Sequence, residues 1–138
     1  VIVIVGHGPS ILSGLGSVID SHTVVRLKFA LRPDPFHWGT RTDYVFAREK
    51  KFDSSRVPFL LYDGGMEWKA QKKPSTGLCA IYQVAKLFKP PQILLIGFDS
   101  LLNPSSNAKF LQDAQAEHEY LKASGLTLVD LREANGSK

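Results

Sequence analysis

Apolar residues in this chain come in short unbroken runs. Val1–Val5 (VIVIV) is five β-branched residues in succession, and Gln92–Ile96 (QILLI) is nearly as solid. Runs of this length with no polar face predict strands buried on both sides, as in a parallel sheet covered by helices. Thr23–Leu27 (TVVRL), Asp43–Ala47 (DYVFA) and Phe59–Tyr62 (FLLY) read as further strands, and Leu126–Leu131 (LTLVDL) as a last one. Between the strands the period changes. Leu78, Ile81, Ala85 and Phe88 recur at helical spacing and predict a helix from Leu78 to Phe88, which Pro90-Pro91 stops. Phe110 to Ala123 predicts a charged amphipathic helix ended by Gly125. Irregular structure is expected in the small-residue loop Ser13–Ser17, in LRPDPFHWGTRT with its two prolines, and in Leu101–Lys109. The closing ANGSK reads as a frayed tail.

Solid strands separated by helices predict an α/β fold: a Rossmann-like, mostly parallel sheet with helices on both faces, in one domain over residues 1–138. The chain begins inside a strand, so it reads as a trimmed piece of a longer protein. In such sheets ligands bind beyond the carboxyl ends of the strands. Gly6–Ser10, Arg26–Phe29, Ala47–Arg48 and Gly97–Asp99 fall at those ends, and Pro74–Gly77 opens a helix toward the same rim.

Composition narrows the function classes. A net charge of +4 suits anionic ligands such as nucleotides, or an anionic membrane surface. It is too weak and too scattered to point to nucleic acid, and no aromatic RNA-binding motif or zinc spacing occurs. No apolar run approaches the roughly 20 residues of a spanning helix, and no signal peptide is expected. The single cysteine, Cys79, cannot form an internal disulfide, which favours a reducing, cytoplasmic compartment.

The chemistry concentrates where the first strand breaks into Gly6-His7-Gly8-Pro9-Ser10. Two glycines permit a sharp turn and a close backbone approach, Pro9 suits a first helical turn, and Ser10 can cap near it. A strand, a glycine turn and a helix start form an anion-binding layout; the alternative is a tight α/β turn and nothing more. The dinucleotide fingerprint fails, because its third glycine falls at Ile11. His7 is the histidine the turn aims at the crevice. His22 reads as a turn residue, His118 as a surface residue, and His37-Trp38 either as an acceptor platform or as a small hydrophobic cluster. Asp20 reads as a brace for a turn, Asp99 as a site residue or a loop cap, and Arg48–Lys51 and Lys72-Lys73 as solvated charge.

Three blocks together resemble the sialyltransferases, which use CMP-sialic acid as donor. GHGPS followed by GLGSVIDSHTVVRL, with GTRTDYVF continuing it, is similar to that family's large motif. Pro74-Ser75-Thr76-Gly77, a helix and QILLIGFD resemble the small motif, and Gln112–Glu117 before EYLKASGLTLVDL resembles the short His-x4-Glu motif. The resemblance covers most of the chain in the family's order. It implies a variant of the GT-A-like Rossmann fold and transfer of an acidic 2-keto sugar, sialic acid or a Kdo-like sugar, with inversion. The acceptor would be a glycan or lipid-linked saccharide. It also implies no cofactor and no catalytic metal, and the chain has no Asp-x-Asp pair to hold one against a diphosphate. Peripheral association with the inner face of a bacterial membrane stays open.

Carried over, the resemblance implies that Gly6, His7, Gly8, Pro9 and Ser10 contact the nucleotide. Ser75, Thr76 and Gly77 would donate to the phosphate or the sugar carboxylate, and Gly97 and Asp99 would lie near the ribose or base. Three departures stand out. His7 replaces the family's Asn, Lys28 replaces a second Asn that touches the donor, and Gln112 occupies the position of the general-base His. Lys28 can neutralise phosphate as a point charge. Gln112 cannot accept a proton near neutral pH, so either another group serves as base or the chain is an inactive CMP or CMP-sugar binding module. The cysteines that join the large motifs in animal members are also missing.

Overall fold

The computed structural model describes residues 1–27, 34–48, 58–68, 74–98 and 114–136. The expected strands form one six-stranded sheet in the order β4-β3-β2-β1-β5-β6, with every pairing parallel. Its members are β1 (Ile2–Val5), β2 (Thr23–Leu27), β3 (Tyr44–Ala47), β4 (Phe59–Leu61), β5 (Ile93–Ile96) and β6 (Leu128–Asp130). The most apolar runs take the centre. β1 and β5 are buried along their whole length and pair in register, Ile2 opposite Ile93 and Val5 opposite Ile96. At the edge, Leu61 of β4 is exposed. This is an α/β, Rossmann-like arrangement.

Parallel neighbours require crossovers, and crossovers are right-handed. The chain steps from β1 to β4 in one direction and then jumps back past β1 to β5. That reversal puts the connecting elements of the two halves on opposite faces of the sheet. Two one-turn helices, α1 (Gly16–Ile19) and α2 (Pro35–Trp38), pack against each other in the first half. The helix α3 (Thr76–Phe88) joins β4 to β5 and lies against β2 and β3. Beyond β5 come α4 (Ala114–Ser124) and, after β6, α5 (Leu131–Gly136).

α3 starts two residues earlier than the apolar spacing predicts, because Ser75 caps it: its Oγ accepts the Leu78 N–H at 3.2 Å. Leu78, Ile81 and Val84 are fully buried against the sheet. The expected face is corrected at its far end. Phe88 is exposed and sits by Tyr44, with ring centroids 5.3 Å apart. Three short helices fall where irregular chain is expected. Pro35 opens α2 in a stretch whose prolines argued against any element, and a proline at the first helical position is favourable. α1 forms within a glycine-rich loop. α5 replaces the start of the frayed tail, because Asp130 accepts the Arg132 N–H at 2.9 Å and Leu131 is buried. The predicted start of the second long helix, residues 110–113, lies outside the described residues.

Asp20 braces the first half, as its position suggests. Its carboxylate accepts the N–H groups of Thr40 and Arg41 and the Thr40 hydroxyl. Arg26, which sequence position assigns to the rim, is instead a structural residue. It is 1 % exposed and its guanidinium turns to the Arg41 carbonyl and the Thr42 hydroxyl, 3.9 Å from Asp20. A buried guanidinium needs such partners, and the loop before β3 supplies them.

Candidate functional site

β1 and β5 are sheet neighbours whose continuations leave toward opposite faces, which makes their carboxyl ends the switch point where open α/β sheets bind ligands. The two turns there are built against each other. The Gly6 N–H donates to the Ile96 carbonyl at 2.8 Å, and the Gly8 N–H to the Gly97 carbonyl at 2.7 Å. The Gly97 N–H in turn donates to the Ser10 Oγ at 2.9 Å. Gly97 has φ +79°, and a Cβ there would stand 2.6 Å from the Gly6 carbonyl oxygen. Both glycines are therefore demanded by the approach of one turn to the other.

This corrects one expectation. The Gly6 and Gly8 amide hydrogens serve the neighbouring strand end, so they are not the donors of a phosphate cradle. Ser10 is buried and braces Gly97 where a helix cap was expected. The helix start is also slight: Pro9–Ile11 is a single 3-10 turn, and the four-residue α1 follows. Such short pieces carry little of the dipole a long helix would offer. What the turn does present is His7, which is exposed at the end of β1 with its ring centroid 6.3 Å from that of Trp38. His37 faces inward instead, and its Nδ1 accepts the Gly14 N–H at 2.8 Å, which ties the loop after β1 to α2. That geometry favours a packed cluster over an acceptor platform.

The second corner is the start of α3. Connecting two parallel strands, α3 runs against them, so its N-terminus lies at the carboxyl edge while Phe88 at its other end meets Tyr44 at the amino edge. Here the structure adds a residue whose role the sequence does not show. Glu117 of α4 is 2 % exposed and accepts from both donors of Ser75, the N–H at 2.7 Å and the Oγ–H at 2.7 Å. Ser75 is thus occupied as a cap. The N–H groups of Thr76 and Gly77, next in line, make no hydrogen bond among the described residues. These are the orphan donors of a helix start, and they are the ones open to an anion.

Two neighbours set the electrostatics of that turn. Burial pushes the Cys79 thiol up to about 11; the Arg48 charge opposes the push and the Glu117 charge adds to it. Arg48 follows β3 beside Tyr62, whose N–H donates to the Ala47 carbonyl at 3.2 Å. Sequence alone reads Arg48 as solvated. It is half-buried at the rim and forms no ion pair among the described residues. Trp68 packs edge-on to Tyr120 of α4, with ring centroids 6.0 Å apart, so it helps seat that helix.

No known protein family, curated protein or solved structure matches this chain. Lys28, Asp99 and Gln112 lie outside the described residues. Among the described residues no three His, Cys, Asp or Glu side chains group to hold a metal ion. No helix among them is long and apolar enough to cross a membrane.

Proposed function

We propose that the chain is the donor-binding core of a CMP-sugar-dependent glycosyltransferase of the GT-A-like sialyltransferase type, moving an acidic 2-keto sugar such as sialic acid or Kdo to a glycan or lipid-linked saccharide. The observation that carries this reading is the sheet order. It brings the His7 turn of the first sialyltransferase-like block, and the open N–H pair of α3 and the Gly97 turn of the second, to one carboxyl edge. In this reading the nucleotide lies over the β1–β5 switch point, and the phosphate or the sugar carboxylate meets Thr76 and Gly77. His7 donates to the phosphate. N–H groups and hydroxyls neutralise a monophosphate leaving group without a bound cation. The acceptor hydroxyl attacks the anomeric carbon, a base takes its proton, and CMP leaves with inversion. A lipid-linked acceptor would be met at the inner face of a bacterial membrane.

Gln112 favours a second reading, a CMP or CMP-sugar binding module without turnover, because its amide cannot serve as the base. Calorimetric titration and a transfer assay separate the two. Wild type should bind CMP, and His7→Ala should weaken CMP about tenfold, the loss of one charge-assisted hydrogen bond, while leaving cytidine unchanged. Absence of CMP binding removes both readings, and equal losses for CMP and cytidine remove the His7 contact. CMP-sugar turnover that rises in Gln112→His, at constant CMP affinity, assigns the base position and the enzyme. Turnover abolished by EDTA removes the cation-free scheme.

A further inference from the structure

Two arginines lie at or near the carboxyl edge of the sheet, and the chain satisfies only one of them among the described residues. Val5, Arg26 and Val45 stand side by side in one row across β1, β2 and β3. Arg26 belongs to that row, is buried, and gives its guanidinium to the Arg41 carbonyl and the Thr42 hydroxyl. Arg48 lies three residues beyond the row, past the close of β3, and is half-buried. Its charge is felt by the Tyr62 hydroxyl and by the sealed Cys79 sulfur, which places it beside the end of β4 and the first turn of α3. No hydrogen bond or ion pair to Arg48 forms among the described residues. Glu117, the carboxylate that shares Cys79 as a neighbour, receives both donors of Ser75 and forms no ion pair with it. Half-burial strips water from a guanidinium, and here no protein acceptor among the described residues takes the place of that water.

We infer that Arg48 is the binding residue for the carboxylate of the acidic donor sugar. The inference rests on the donor reading above and gives that carboxylate a partner of its own. The row supplies the spacing. His7 lies two residues beyond Val5 and Arg48 three beyond Val45, so both overhang the edge at nearly the same height. β1 and β3 are two strands apart, about 10 Å. In a 2-keto acid sugar the carboxylate is carried by the same anomeric carbon that bears the phosphate. Two anions therefore leave one centre, and a site for them needs two donors set a short way apart on one rim. A phosphate held by His7 at the end of β1 brings the carboxylate within reach of the end of β3, where a long side chain closes the remaining gap. A guanidinium is the fitting group there, because its planar fork meets a carboxylate with two parallel N–H···O bonds.

The test is calorimetric titration of the full chain with three probes. They are CMP, a CMP-sugar (CMP-sialic acid or CMP-Kdo, whichever wild type binds more tightly), and the same CMP-sugar methylated on its carboxylate. Wild type should bind the methyl ester about tenfold more weakly than the acid, the loss of a charge-assisted fork. Arg48→Met, which keeps an apolar stem, should bind the acid about tenfold more weakly and the ester no worse than wild type does. CMP has no carboxylate and should stay within about twofold in the variant. Equal affinity of wild type for acid and ester, or an ester loss in Arg48→Met as large as the acid loss, overturns the inference. Equal weakening of CMP does the same, since it gives the guanidinium to the phosphate. Without ligand, the urea midpoints of wild type and Arg48→Met should coincide; a clear fall assigns Arg48 to the fold and overturns the inference. A wild type that binds none of the probes removes the donor reading and this site together. A wild type that binds CMP but neither CMP-sugar, or an Arg48→Met that matches wild type throughout, removes the site alone.

Discussion

The two small-residue corners at the carboxyl edge look alike in sequence and are opposite in use. In the Gly6–Ser10 corner the N–H groups of Gly6, Gly8 and Gly97 all end on the chain itself. In the Pro74–Gly77 corner one residue, Ser75, absorbs the internal bonds, and the next two amide hydrogens make no hydrogen bond among the described residues. Glycines after a strand do not by themselves report a ligand site. The hydrogen-bond accounting does, because a buried donor that is committed to a neighbouring carbonyl is lost to anything else. The first corner is a fastening between two strand ends that exposes one side chain, His7. The second is a fastening that leaves donors over.

The sharpest way to break this comparison is at its glycines. Gly97→Ala should destabilise the chain by about 2 kcal/mol or more, because alanine is strained at the positive φ and its Cβ meets the Gly6 carbonyl. Gly77→Ala lies in a helical turn without positive φ and should be neutral or stabilising by up to about 1 kcal/mol. Urea unfolding checks both, and equal losses at the two positions would erase the distinction. Next in size is Ser10→Ala. It leaves the buried Gly97 N–H without its acceptor and should cost about 1–3 kcal/mol in the same assay, while a loss near zero would mean the corner is not fastened through Ser10.

The smallest effect should come from outside both corners, and it sharpens the comparison by isolating the scaffold. Burial works to raise the pKa of Asp20, but the N–H groups of Arg41 and Thr40, the Thr40 hydroxyl and the Arg26 charge hold it below the usual carboxylate value. A depressed folded pKa means that the unfolded chain takes up the proton first. The stability Asp20 contributes is therefore complete above its unfolded value of about pH 4 and is lost as pH falls through the lower folded value. Unfolding midpoints measured between about pH 2 and pH 6 should fall less steeply for Asp20→Asn than for wild type. Identical slopes would remove Asp20 from the acid response.

The parallel sheet was legible because VIVIV and QILLI admit no solvent face, and the strand limits followed within a residue or two. α1, α2 and α5 were not legible. One helical turn is too short to show a period, and each is held by contacts distant in sequence or by a cap, as at Asp130. The site was legible as a rim but not as a set of donors. Nothing in GHGPS says that its amide hydrogens end on the close of β5, some ninety residues later. Nothing in PSTG says that its acid lies on α4. Arg26 shows the same limit: a charged residue inside an apolar strand is visible at once, yet the direction of its guanidinium depends on a loop the pattern leaves blank.

Cys79 carries a consequence of its own. Its sulfur is sealed beneath the opening turn of α3 and kept in the thiol form by its surroundings. Alkylating reagents need thiolate and access, and the closed molecule grants neither. The chain's sole sulfhydryl is therefore silent while that turn is seated and becomes a chemical tell-tale whenever it lifts.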